Sequence, residues 1–179
     1  MKRNRFKSGI TGVVCALGVV IAGALTYLQE KDAEPENIEL YGPYDVVRVV
    51  DGDTLIVKID SDKVRVRLIG VDTPESVADG VHKQNTPEGD VASEYTKSLL
   101  EGGRVYLEYD VEHFDQYDRT LAYVYLSDKE TMVNELLISE GYARTVRIEP
   151  DVKYYERLSG LEKEACNNNK GFWGTGFFK

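Results

Sequence analysis

Between residues 44 and 69 apolar and polar positions alternate with a period of two, the pattern of strands that bury one face. Val46 to Val50 is rich in β-branched residues and runs into Asp51-Gly52, a tight-turn pair. Leu55, Val57 and Ile59 then alternate with Ile56 and Lys58, and a second turn at Asp60-Ser61-Asp62 leads into Lys63 to Ile69. In that third run the apolar residues face one way and Lys63, Arg65 and Arg67 the other. Together these segments predict a three-stranded meander.

The period then changes. Thr86-Pro87 is a cap followed by proline, Val91, Tyr95 and Leu99 recur at helical spacing, and Gly102-Gly103 ends the helix. Arg104 to Tyr109 and Thr120 to Tyr125 predict two more strands. A short helix begins at Thr131, runs through Leu136 and Leu137 and ends at Gly141, and Tyr154, Leu158, Leu161 and Ala165 line one face of a last helix. Five strands with a helix after the third and helices at the end predict an α+β domain. Its expected architecture is a small closed β-barrel of the OB type with about three helices, over residues 44–179.

The start of the chain has a different character. Lys2, Arg3, Arg5 and Lys7 precede an uncharged run from Gly9 to Leu28, the layout of an export segment. The run is also long enough to span a bilayer as a helix, and Ala22-Gly23-Ala24 offers a small-x-small cleavage site. Residues 1–28 are therefore expected to be a signal peptide or a membrane anchor. In either form they contact the membrane or the export machinery, with the domain on the extracellular face or secreted. Residues 29–43 are polar and acidic and are expected to form a linker. Cys15 lies within the apolar run, so a cleaved form leaves Cys166 without a partner, and the fold must stand without a disulfide.

Charge narrows the chemistry. The formal net charge is −9, and cleavage after Ala24 removes four basic residues and no acidic one, which takes it to −13. An acidic chain does not hold a polyanion by its overall field, so any nucleic-acid site must be local. His82 and His113 are too few for a zinc site. Asp53 follows a turn at a strand start, Arg67 lies at the end of the third strand, and Asp72-Thr73-Pro74-Glu75 lies just beyond it. Strand ends at one rim of a barrel can converge. Two carboxylates with backbone carbonyls suit a hard cation such as calcium, a third can activate water, and arginines grip phosphate. Taken singly, the same residues read more readily as a turn and the polar face of a strand.

Taken together they resemble a known family. Asp51-Gly52-Asp53-Thr54, Arg67-Leu68-Ile69-Gly70-Val71-Asp72-Thr73-Pro74-Glu75 and Asp115-Gln116-Tyr117-Asp118-Arg119-Thr120-Leu121-Ala122-Tyr123 resemble the thermonuclease (staphylococcal or micrococcal nuclease) family. Met132 to Leu137, Gly141-Tyr142-Ala143 and Gly171-Phe172-Trp173 extend the resemblance across residues 44–173. It implies a monomeric OB-fold nuclease that cuts DNA and RNA with Ca2+ and leaves 3′-phosphate ends. Carried over by residue, Asp53 and Asp72 are expected to bind calcium through side chains and Thr73 through its carbonyl. Glu75 is expected to act on the attacking water, Arg67 and Arg119 on the scissile phosphate, and Tyr117 to lie beside the substrate. Two features depart from the family pattern: Arg144 to Pro150 holds no aromatic residue, and Lys83 is the only lysine or arginine between Ser76 and Asp90. The rival reading is a non-catalytic OB module that binds single-stranded nucleic acid or a protein.

Overall fold

The computed structural model describes residues 38–75 and 86–179. The expected export segment, most of the expected linker, His82 and Lys83 lie outside these residues. In chain order the elements are β1 (Tyr41–Asp51), β2 (Thr54–Ile59), β3 (Asp62–Leu68), β4 (Val71–Asp72), α1 (Pro87–Leu100), β5 (Arg104–Glu108), β6 (Thr120–Tyr125), α2 (Val133–Ser139), β7 (Arg144–Thr145), α3 (Tyr155–Asn167) and α4 (Gly171–Thr175). The five long strands close into a barrel in the order β1-β2-β3-β6-β5. This is the five-stranded OB-type barrel with helical additions that the sequence predicts.

Closure depends on β1, which is longer than its apolar run. Its first residues pair with β5 (Tyr41 with Leu107, Tyr44 with Val105) and its later ones with β2 (Val46 with Val57, Asp51 with Thr54). Register shifts between Val46 and Arg48 and between Val49 and Asp51 let one strand bend from one neighbour to the other. On the far side β3 and β6 run parallel, Val66 to Leu68 against Thr120 to Ala122. The barrel interior is filled by Leu55, Val57, Val66, Leu68, Val105, Leu107, Ala122 and Val124, none more than 2% exposed. These are the alternating positions of the sequence pattern.

Helix α1 starts where the cap predicts: the Thr86 hydroxyl accepts the Gly89 N–H at 2.9 Å, and Pro87 takes the first helical position. Its most deeply buried face lies beside the expected Val91-Tyr95-Leu99 stripe, of which Tyr95 and Leu99 are partly buried against the core. Ala92, Ser93, Thr96 and Leu100 are buried, while Val91 is 48% exposed. The small side chains let the helix approach β1 closely enough for the Thr96 hydroxyl to donate to the Gly52 carbonyl at 2.7 Å. Helix α2 is pinned by Asn134, which is fully buried. Its Oδ1 accepts the Val124 N–H at 2.9 Å and its Nδ2 donates to the Ile69 carbonyl at 2.8 Å, satisfying two backbone groups next to the barrel rim. Helix α3 buries Leu158 and Ala165 as predicted, and Cys166 is exposed and unbridged. A two-stranded ribbon of β4 and β7 and the short helix α4 complete the fold; the alternation gave no sign of either.

Candidate active site

The turn between β1 and β2 and the ends of β3 and β4 meet at one rim of the barrel. Gly52 is required there, because a Cβ would lie 2.7 to 2.9 Å from the Thr73 side chain. The close approach presses the Asp51-Gly52-Asp53 turn onto Thr73, and the Thr96 hydroxyl of α1 holds the turn from behind.

Asp53, 7% exposed, is the hub. Its Oδ2 accepts the Thr73 N–H and the Thr73 hydroxyl, each at 3.1 Å, and pairs with Arg67 Nη1 at 3.1 Å. Its Oδ1 accepts the Thr54 hydroxyl at 3.0 Å. Arg67 Nη1 also donates to the Leu68 and Val71 carbonyls at 3.1 and 2.8 Å, and Nη2 lies 3.9 Å from Asp72 Oδ1. Arg67 is therefore built into the bend between β3 and β4 rather than hanging from the polar face of a strand. The Asp72 side chain, 63% exposed, stands at the open rim. Glu75 is half-buried two residues beyond Thr73. Its carbonyl accepts the Thr86 N–H at 3.0 Å and the Thr86 hydroxyl at 3.3 Å, which ties this end of the segment to the α1 cap.

Burial, and then the adjacent Asp53 carboxylate, push the carboxyl of Asp51 up to about 7. Crowded carboxylates at a partly closed rim call for positive charge. Arg67 supplies one, and the remaining oxygen donors of Asp53, Asp72 and the Thr73 carbonyl are of the type a hard divalent cation takes. Among the described residues no group of three or more Asp, Glu, His or Cys side chains forms a ready-made metal cage. Any cation here must complete its shell with other oxygen donors, water among them.

The second arginine is held differently. In the loop before β6, Asp115 Oδ1 accepts the Tyr117 and Arg119 N–H groups at 2.9 and 3.0 Å, and Oδ2 accepts Arg119 Nε at 2.6 Å. Burial raises the Asp115 carboxyl, but the hydrogen bonds from Arg119 and Tyr117 outweigh it and hold the group below its ordinary value. The pairing consumes Nε and leaves the terminal amino groups of Arg119 as the part of the fork open to a ligand. The Arg119 guanidinium lies 5.5 Å from the Tyr117 ring centroid, an attraction that orders both.

Arg67, Tyr117 and Arg119 share the wall of one cleft of about 340 Å³. Its apolar side carries Phe114, Val146 and Ile148. Phe114, Tyr117 and Ile148 are 60–70% exposed, a large apolar surface to leave in water beside two arginines. The structure thus brings Asp53, Arg67, Asp72 and Thr73 into one cluster and Arg67, Tyr117 and Arg119 around one cleft. Glu75 closes the acidic segment and is not part of the cleft lining. Sequence reasoning assigned no role to Asp115 or Phe114. The four-residue spacing from Asp115 to Arg119 was the available signal for the first, and nothing local distinguishes Phe114 from a buried aromatic.

The sequence model of the family described as "Staphylococcal nuclease homologue" matches residues 65–175. The chain is similar to the thermonuclease of Staphylococcus hyicus, with 40% identity over 172 residues that cover 92% of this chain and 97% of the relative. The thermonuclease of Staphylococcus intermedius is 47% identical over 133 residues, covering 73% and 75% of the two chains. Endonuclease YncB of Bacillus subtilis is 38% identical over 128 residues, covering 70% of this chain and 59% of its own length. With this barrel, this rim of paired arginines and carboxylates, and these relatives, the chain belongs to the staphylococcal nuclease family.

Proposed function

We propose that this chain, a nuclease of the staphylococcal nuclease family, hydrolyses phosphodiester bonds of DNA and RNA with calcium bound beside Asp53, Asp72 and the Thr73 carbonyl. The carrying observation is that two arginines, each held by its own aspartate, face one cleft beside that carboxylate rim. Arg67 and Arg119 grip the scissile phosphate and neutralise the charge that grows as water adds to phosphorus. Calcium, when bound, supplies further neutralisation of the phosphate oxygens. Glu75 takes a proton from the attacking water as the new P–O bond forms. The bond to the 5′ oxygen breaks, that oxygen takes up a proton, and the products are a 3′-phosphate and a 5′-hydroxyl.

Hydrolysis of single-stranded DNA and RNA in calcium is the test. Excess chelator is expected to abolish turnover, and magnesium is expected to bind without restoring it because it demands stricter octahedral geometry. Full activity in chelator, or with zinc alone, overturns the calcium assignment. Binding without hydrolysis in calcium overturns the catalytic reading in favour of a binding module.

Beside the phosphate, the base of the substrate lies against the apolar wall of the cleft, where Phe114 offers a ring face in place of the aromatic residues lacking from Arg144 to Pro150. Stacking on an aromatic contributes about 1–3 kcal/mol per base. Phe114→Ala is therefore expected to raise KM on single-stranded DNA roughly tenfold with little change in kcat, as lost uniform binding does. An unchanged KM removes Phe114 from the substrate site.

The basic start and uncharged run of residues 1–28 support action outside the cytoplasmic membrane, where calcium is abundant. Digestion of intact cells by an impermeant protease is expected to remove the domain from any tethered form. Complete protection, with activity only in the cytosol after lysis, counts against it.

A further inference from the structure

The β4–β7 ribbon extends the cleft in one direction. Val71 pairs with Thr145 and Asp72 with Arg144, and the Val146 N–H donates to the Gly70 carbonyl at 3.1 Å. Side chains alternate across a strand, so Asp72, Arg144 and Val146 share one face and Val71 and Thr145 the other. Val71 is fully buried, which turns the first set outward. Val146 lines the cleft with Arg67 and Arg119. Arg144, two residues along the same face, stands about 7 Å farther on, beside Asp72.

The surroundings of Arg144 are aromatic. Its guanidinium lies 5.4 Å from the Phe178 ring centroid and 6.0 Å from that of Trp173. Rings hold a guanidinium in place without consuming its N–H donors. Its neighbours contrast with it: Arg147 is paired with Glu149 at 2.6 Å, and Arg157 donates to Glu135 at 2.8 Å. Among the described residues no carboxylate is paired with Arg144. An exposed cation whose guanidinium is held by rings, two residues along the same strand from the cleft wall, keeps donors that an anion can take.

We infer that Arg144, on its platform of Phe178 and Trp173, is a second phosphate subsite. It holds a phosphodiester that neighbours the one being cut, on the Asp72 side of the cleft. The inference rests on the nucleic-acid reading of the cleft given above, and it adds a contact that lengthens the bound strand rather than one that takes part in bond cleavage.

The test is binding of fluorescein-labelled single-stranded octathymidylate to the full chain, followed by anisotropy in chelator across a range of salt concentrations. Arg144→Ala is expected to raise Kd about tenfold at low salt, the effect of losing one charged hydrogen-bonded contact. It is also expected to flatten the dependence of log K on log salt by about 0.7, the value for one single-strand phosphate. Arg144→Lys keeps that slope, and Arg144→Gln loses it, so this pair decides the matter if the alanine variant is poorly folded. Equal Kd and equal slope in wild type, Arg144→Gln and Arg144→Ala overturn the subsite. A wild type that binds the strand neither in chelator nor in magnesium, which is expected to fill the site without turnover, overturns the subsite and the substrate reading together. Wild-type binding without hydrolysis in calcium overturns the nuclease chemistry alone.

Discussion

Arg119→Ala is expected to lower kcat on single-stranded DNA by about 100-fold or more, the loss that follows removal of one preorganised donor to a transition-state anion. The thermal midpoint is expected to move by only a few degrees. Arg119 is partly exposed, and its ion pair is with a near neighbour, Asp115, at the foot of β6. Removing the cation leaves Asp115 still accepting the backbone N–H groups of Tyr117 and of residue 119. Arg67→Ala makes an instructive comparison. A similar loss of turnover is expected, together with a loss of stability, because Arg67 also satisfies the Leu68 and Val71 carbonyls and the buried Asp53 carboxylate. Steady-state kinetics alongside thermal unfolding separate the two cases. Wild-type kcat in a folded Arg119→Ala protein removes that residue from the mechanism, and an unchanged midpoint in Arg67→Ala contradicts its structural role.

The largest loss of stability is expected away from the cleft, at Glu108. This carboxylate on β5 is 3% exposed and carries three partners: the Tyr125 hydroxyl at 2.8 Å, the Tyr154 hydroxyl at 3.0 Å and Lys153 Nζ at 2.7 Å. It joins two barrel strands to the start of α3, next to Asp151, whose carboxylate accepts the Glu112 N–H at 2.8 Å on the cleft wall. Glu108→Ala leaves two phenol hydroxyls and an ammonium group without their acceptor. Breaking a buried charged cluster by removing one partner costs about 3–5 kcal/mol. For a domain of this size that lowers the midpoint by roughly 10–20 °C. Glu108→Gln keeps an acceptor and is expected to lose much less.

The cluster also has a pH signature. The hydrogen bond that Lys153 donates to Glu108, outweighing partial burial, pushes Lys153 up to about 12. A lysine raised in the folded state contributes stability that is complete below its unfolded value and is lost as pH rises through the folded one. Stability is therefore expected to fall between roughly pH 10 and 12 in the wild type. In Glu108→Gln the part of that fall due to Lys153 is expected to shrink. Denaturant titrations at pH 8 and pH 11 measure it, and an equal fall in both proteins assigns the effect elsewhere.

How far the site can be read from residue order depends on the range of the interactions that build it. The Asp51-Gly52 turn, the Thr86-Pro87 helix start and the alternation of Leu55, Val57, Val66 and Leu68 are local, and each forms as the sequence predicts. The same holds for the linear run from Arg67 to Glu75, whose first residues fold back on one another within a few positions. Proximity along the chain limits what such segments can do, so composition and spacing determine them.

The remaining features are settled by contacts between distant segments. The most deeply buried face of α1 is set by the approach of Thr96 to Gly52 across 44 residues, which places small side chains innermost and leaves Tyr95 and Leu99 partly buried against the core. The β4–β7 ribbon is two residues wide on each strand, too short to show a period, and exists because Val71 and Thr145 are brought opposite each other by α2 and the barrel. Nothing local marks Phe114 as exposed or Arg144 as ring-held; each depends on which surfaces the folded chain covers. The sequence by itself determined the five long strands, the three longer helices and the inventory of carboxylates and arginines. Tertiary structure decided which of them meet, because burial and the contacts of Asp53 with Thr73 and of Gly52 with Thr96 arise only once segments far apart in the chain share the same few ångströms.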